Sequence, residues 1–308
     1  MVTKPIKQHY IPQFLLRGFG TGKKGKAKIW TYDKHTGKTF CGSVRDAAHE
    51  NQCYEATNLD GEKIEGEALL AMVDGWGASV LKEVICDELL SQSAKVTTNL
   101  SFFVAAQMLR VPAVRNEMEF FRTTVVKRWG PDVRAGGDER PVSAYSAADS
   151  KYSSVMSLGD VPEFAKLLQQ KIWFLLKAPP DASFILSDNP VIMHNHLDYG
   201  PRGSLGLAQK GIEVNFPISP RLCLQFVCAE IAGQLRFSRL GQTYLQAQAA
   251  GCPVTLEPDN IEFINSKEVI FSERFLFARS EKDFALAVDM VRKNPQLAGP
   301  ASARIIAD

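Results

Sequence analysis

The spacing of apolar residues changes character along the chain. In the run KIWTYDKHTGKTF, Ile29, Thr31 and Asp33 alternate with Trp30 and Tyr32, a period of two that predicts a strand. A turn at His35–Gly37 and a return strand through Thr39–Phe40 would complete a hairpin. From Gly61 the period lengthens. Ile64, Leu69, Met72, Val73, Trp76, Val80, Leu81, Val84 and Ile85 recur at helical spacing. Gly75 and Gly77 weaken that helix on either side of Trp76, so close approach of another backbone is expected there. A second helical stretch is expected from Thr97–Thr98, whose hydroxyls would cap it, to Trp129. Pro112 lies inside this stretch and predicts a kink or break near Val111.

Residues 130–160 are polar and rich in Gly, Ser and Pro, and read as a mobile loop or flap with a helical tail. After Pro162 comes a short helix, then KIWFLLKA, apolar on both faces as a central strand is. SFILSDNPVIMHN predicts the next strand, interrupted at Asp188-Asn189-Pro190, and GIEVNFPISPRLCLQFVC two more around a proline-marked turn. Residues 258–271 read as helix. Ser280 and Asp283 form a capping pair for a last helix to about Asn294, followed by a frayed tail. The fold class is therefore α+β, a helical layer from the first half packed on a mixed sheet formed mainly by the second half. One domain is expected over 1–280, with strands and loops in 1–60 and a C-terminal helix and tail in 281–308.

Composition narrows the function classes. Apolar residues make up 45% and charged residues 23%, as in an ordinary globular protein. No apolar run approaches a bilayer span, and the start, MVTKPIKQHYIPQF, has no apolar signal core. A cytoplasmic location without a membrane partner is expected. A net charge of +2 is no nucleic-acid signature by itself. The six cysteines form no C-x-x-C pair and read as reduced, mostly buried thiols. The stretch GTGKKGKA spaces Gly20 and Gly25-Lys26 like a phosphate loop. However, Ala27 replaces the metal-binding hydroxyl and a strand, not a helix, follows, so it reads as a basic loop before a hairpin.

Four clusters could carry chemistry. His9, Tyr10, Gln13 and Arg17 place an imidazole, a phenol, an amide and a guanidinium within nine residues around Pro12, which would hold the segment extended or set a turn. Glu67 and Asp74 lie two helical turns apart, on one face. Gln107 and Arg110 fall on adjacent turns, and an arginine among apolar neighbours calls for a carboxylate or an anionic ligand. Ser187-Asp188-Asn189-Pro190 interrupts an apolar strand with polar groups. Each also has a plain structural reading: backbone capping, a solvated helix edge, a salt bridge, a local turn. His194 and His196 follow at strand spacing, a weak metal-binding pattern.

The run HYIPQFLLRGF, then IWTYDK, then Glu50 and Tyr54, resembles an uncharacterised bacterial family, the domain of unknown function numbered 4238. Further matches are the acids at Glu67 and Asp74, the R-x-P at Arg110–Pro112, S-D-N-P at Ser187–Pro190, F-P-I-S-P at residues 216–220, and Asn265. Asp74 stands where the resemblance leads one to expect a glutamate. The resemblance covers the chain to about residue 280 and implies that His9, Gln13, Arg110, Asp188 and Asn189 belong to one signature, hence one cleft. The expectation is a hydrolase of phosphodiesters or related phosphate esters, nuclease-like and suited to phage defence, acting on nucleic acid or a nucleotide. His9 would be general acid or base, with Gln13 and Asn189 beside it. Arg110 would steady phosphoryl charge. Glu67 and Asp188 would hold a divalent cation such as magnesium or manganese, and Tyr10, Arg17 and Gln107 would touch the substrate. The alternatives are a non-catalytic module for a small anionic ligand, and an interaction protein such as a toxin or its neutraliser.

Overall fold

The computed structural model describes residues 7–23, 25–134, 139–197 and 205–305. Its strands are β1 (Lys7–His9), β2 (Lys28–Asp33), β3 (Lys38–Ser43), β4 (His49–Asn51), β5 (Glu55–Thr57), β6 (Lys63–Glu65), β7 (Ile172–Lys177), β8 (Leu186–Ser187), β9 (Ile192–Asn195), β10 (Ile212–Pro217), β11 (Leu222–Val227), β12 (Val254–Thr255) and β13 (Phe275–Ala278). The helices are α1 (Gln13–Gly18), α2 (Glu67–Asp87), α3 (Ala94–Leu109), α4 (Pro112–Trp129), α5 (Ala147–Met156), α6 (Val161–Gln169), α7 (Ala229–Gln234), α8 (Arg239–Ala250), α9 (Pro258–Phe271), α10 (Ala285–Lys293) and α11 (Ala301–Ile305).

Two larger sheets organise the α+β fold. One runs β12-β7-β11-β10-β9 and is mixed, since β12 lies parallel to β7 while the other pairs are antiparallel. The other runs β3-β2-β13-β8, antiparallel throughout, and joins the N-terminal hairpin to a strand from the end of the chain. The strand expected over SFILSDNPVIMHN is thus two strands in different sheets, and Asp188-Asn189-Pro190 is where the chain crosses between them.

Alternation on the five-stranded sheet places apolar residues on both faces. Ile212, Val214, Phe216, Leu224 and Phe226 join the main core, beneath α3 and α6. Phe174, Leu176, Cys223 and Val227 point the other way, into a second core closed by Ile261 and Ile264 of α9. The first-half helical layer is present, and the second half adds its own layer of α7, α8 and α9.

Several local expectations change. Pro12 does not prolong an extended segment: it precedes α1, within the region expected to hold only strands and loops. α3 starts at Ala94, capped by the Ser93 hydroxyl rather than by Thr97 or Thr98. The break at Pro112 is present, with extended Val111 ahead of it and the proline as first residue of α4, where its missing N–H costs nothing. Of the segment 130–160, residues 135–138 lie outside the described residues. The rest includes α5, tied down where Asp149 accepts from the Leu59 amide and Ser150 bonds Glu119. Residues 306–308 of the tail lie outside the described residues, and the part before them is held where Ser302 bonds Glu273. Cys41, Cys86 and Cys252 are exposed, so only three of the free cysteines, Cys53, Cys223 and Cys228, are buried.

The two glycines of α2 do different things. A Cβ at Gly77 would sit 2.4 Å from the Phe103 ring, whereas one at Gly75 would meet nothing within 4 Å. The close neighbour is therefore an aromatic side chain of α3. Gly77→Ala should cost about 1–3 kcal/mol through overpacking, while Gly75→Ala should stabilise by about 0.5–1 kcal/mol through helix propensity. Urea unfolding of both variants checks the contrast.

Candidate functional site

The N-terminal signature folds into a buried hydrogen-bond network. Gln107 donates from Nε2 to the Tyr10 carbonyl at 2.9 Å and accepts at Oε1 from Arg110 Nε at 2.9 Å. Arg110 Nη1 binds Asp74 at 2.8 Å. The Tyr54 hydroxyl donates to the His9 carbonyl at 3.1 Å and reaches the Arg110 carbonyl at 3.4 Å. Gln107 and Arg110 are sealed from solvent. The third Arg110 nitrogen, Nη2, has no partner among the described residues, but the adjoining void of about 10 Å³ has room for roughly one water and not for a phosphate. Burial raises the Asp74 carboxyl against the pull of Arg110, and burial with Asp74 raises Glu67. Glu67 and Asp74 do share one face, and it is occupied by a structural ion pair.

His9 points elsewhere. Its Nε2 lies 3.1 Å from the Arg45 carbonyl, so that nitrogen carries the proton, and its ring meets His49 edge-on. Burial lowers its pKa, with the carbonyl bond opposing. Gln13 and Arg17 sit half-buried on α1, and among the described residues neither side chain makes a hydrogen bond. Tyr10 is buried, and its phenol is pushed well above the usual value by burial and by the charge of Asp188.

Asp188 is a fastener. One carboxylate oxygen accepts from the Glu273 amide at 2.8 Å, and the other from the Arg274 and Phe275 amides at 2.7 Å each. Burial lifts its carboxyl to about 6 against these three donors and the nearby Lys34 ammonium. Lys34 is 1% exposed. It donates to the carbonyls of Ser272 and Val269 at the end of α9, and burial pushes it down to about 8. Asn189 donates to the Phe271 carbonyl. Asn265 brackets the Ile185 amide and the Ser183 carbonyl. Glu268, fully buried and raised well above the carboxylate range by burial, accepts from the Ser187 amide. No group of three or more His, Cys, Asp or Glu among the described residues could hold a metal ion, so Glu67 and Asp188 do not meet in such a group.

A different cluster lines a cavity. Glu213 and Asn215 of β10 and Gln225 of β11 lie on the face toward α9. Gln225 Nε2 donates to Asn215 Oδ1 at 3.2 Å, Asn215 Nδ2 donates to Glu213 Oε1 at 2.6 Å, and His196 Nε2 donates to Glu213 Oε2 at 2.7 Å. Burial would raise Glu213, but the bonds from His196 and Asn215 outweigh it and hold the carboxyl below its ordinary value. The same bond raises His196. His196 Nδ1 makes no hydrogen bond among the described residues. The cavity is a cleft of about 280 Å³ that opens to solvent beside His196, Asn260 and Phe263, walled by Phe174, Leu176 and Val227 of the sheet and by Ile231, Tyr244 and Phe263 of α7, α8 and α9. Half-buried Tyr244 and solvent-exposed Asn260 are among the lining residues, and their side chains make no hydrogen bond among the described residues. A larger hollow of about 630 Å³ along β5 and β6 is an open groove of solvated side chains such as Glu55, Lys63 and Glu65.

Set against known families, a model of proteins of unknown function, DUF4238, matches residues 7–282. The chain belongs to this family. The match spans both the N-terminal network and the cavity. No curated protein and no solved structure matches the chain. No helix among the described residues is long and apolar enough to cross a membrane.

The cavity residues were only half visible in the sequence. His194-x-His196 stood out as a pair, yet only His196 reaches the cavity, and its partner Glu213 lies across the sheet from the other histidine. The missed signal was Glu213-x-Asn215 in an otherwise apolar hairpin, which reads as a solvated strand face until α9 covers it.

Two outcomes are expected. Asp188→Asn puts an amide N–H against backbone N–H donors and should cost about 3 kcal/mol, by denaturant unfolding. Burial and the charge of Glu273 push the Glu117 carboxyl up to about 7 from 4.5. The folded chain therefore holds that proton more tightly than the unfolded one. The resulting stability is full below 4.5 and lost as pH rises through about 7. Melting temperature between about pH 5 and about pH 8 should fall less steeply in Glu117→Gln than in the parent.

Proposed function

We propose that this protein binds a small, largely apolar molecule in the cavity between the five-stranded sheet and α7–α9, with the molecule's polar end against His196, Tyr244 and Asn260. The observation that carries this reading is the cavity itself: apolar walls and a few convergent polar groups, some of them unpaired, the usual composition of a small-molecule site. A phosphate ester or another anion would call for cations along the wall. Among the described residues, the side chains lining the cavity include no lysine or arginine. The phosphodiester-hydrolase reading therefore has less support, because Asp188 and Arg110 spend their hydrogen bonds on backbone, Gln107 and Asp74. The ligand-binding alternative is favoured, with its ligand changed from anionic to apolar.

The test uses benzyl alcohol, benzoate and benzylamine, which carry different heads on one ring. Thermal shift and NMR titration should show benzyl alcohol binding to the parent chain. Val227→Phe and Ile231→Trp, which fill the cavity from opposite sides, should abolish the response while each variant still melts cooperatively. Binding that survives both fillings would refute the location.

A further inference from the structure

Resting on that reading, we infer that the cavity is a hydrolytic site for small neutral carboxylic esters, in which His196 is the general base and Glu213 positions it. The geometry supplies three parts. The first is a directed imidazole: Glu213 accepts the Nε2 proton at 2.7 Å, which fixes the tautomer and leaves the Nδ1 lone pair as the basic atom. The second is a stiff support, since Asn215, itself held by Gln225, donates to one Glu213 oxygen while His196 holds the other. The third is a pair of donor-bearing residues in the lining, half-buried Tyr244 and solvent-exposed Asn260, whose side chains have no partners among the described residues.

The lining also selects the reaction class. Among the described residues it contains no serine, threonine or cysteine, and the inferred nucleophile is water. Among the described residues it contains no lysine or arginine, which suits a neutral substrate. His196 Nδ1 takes a proton from water as the water oxygen bonds to the ester carbonyl carbon. The carbonyl π pair moves onto oxygen, where Tyr244 and Asn260 can donate to it. When the tetrahedral species collapses, the bond to the alkoxy oxygen breaks and that oxygen receives the proton from Nδ1. Ester and water become acid and alcohol, with no change of oxidation state.

Among the described residues, the charged and titratable groups around His196 are few. Glu213 faces it from β10, and His194 lies beside it, two residues earlier on β9. Lys267 of α9 sits over the Phe263 ring and acts on His194. The pH dependence of turnover therefore reports mainly the His196–Glu213 pair.

The experiment measures p-nitrophenyl acetate and butyrate hydrolysis by the full chain across pH, alongside the benzyl alcohol titration. Parent turnover should rise with pH through the titration of His196. His196→Gln should lower kcat by about a hundredfold or more at nearly unchanged KM, with benzyl alcohol binding retained. Glu213→Gln removes the group that raises His196, so the rising limb of its pH profile should move to lower pH, a shift that mere loosening of structure would not give. His35→Gln, a histidine bonded to the Glu273 carbonyl outside the cavity, should leave turnover unchanged. Benzyl alcohol binding without ester turnover above buffer overturns the catalytic inference and leaves the binding site standing. Loss of both overturns the binding reading as well. Turnover unaffected by His196→Gln assigns hydrolysis to other surface groups and refutes the inference.

Discussion

Three successive backbone amides, those of Glu273, Arg274 and Phe275, converge on the one carboxylate of Asp188. A charge so deeply buried is tolerated only because nearly every lone pair is occupied and Lys34 offsets part of the charge. The bond set lies where the chain leaves the four-stranded sheet and enters the five-stranded one. It also fixes the turn between α9 and β13. With Asn265, Glu268 and Asn189 it bolts α9 to the crossing strand. α9 is also a wall of the cavity, so the cavity's shape depends on a clamp on the other side of that helix.

The two polar assemblies differ in what they leave over. Around Gln107 and Arg110 the donors and acceptors are matched to one another and to backbone, with a single guanidinium nitrogen facing a void the size of a water. Such a network specifies how the N-terminal segment seats on α3 and α4, and has little left for a ligand. Around His196 the matching stops partway. One imidazole nitrogen, a phenol and a carboxamide make no hydrogen bond among the described residues, and they belong to residues set among apolar walls. Signature residues that look reactive in one dimension can thus be the framework, while less conspicuous ones keep free valence.

Most of the architecture was readable because periodicity and proline act locally. The hairpin from Lys28, the break at Pro112, α9 over 258–271 and the capping pair Ser280–Asp283 follow from neighbours within one or two turns. What failed to show depended on distant chain. Nothing near Asp188 announces that amides more than eighty residues away will fill its carboxylate. Polar Glu213 and Asn215 read as solvent-facing until α9, from much later in the sequence, covers that face. α11 is short, opens with three small residues, and owes its order to docking: its Ser302 meets Glu273 and it packs on α4.

Lys34 carries a final consequence. Its amine is almost wholly hidden, yet its proton is held less tightly than that of a surface lysine. Once exposed it would be an ordinary nucleophile; while the fold is closed, an acylating reagent has no route to it. Covalent tagging of this one side chain would therefore act as a clock, advancing only when the end of α9 lifts from the hairpin.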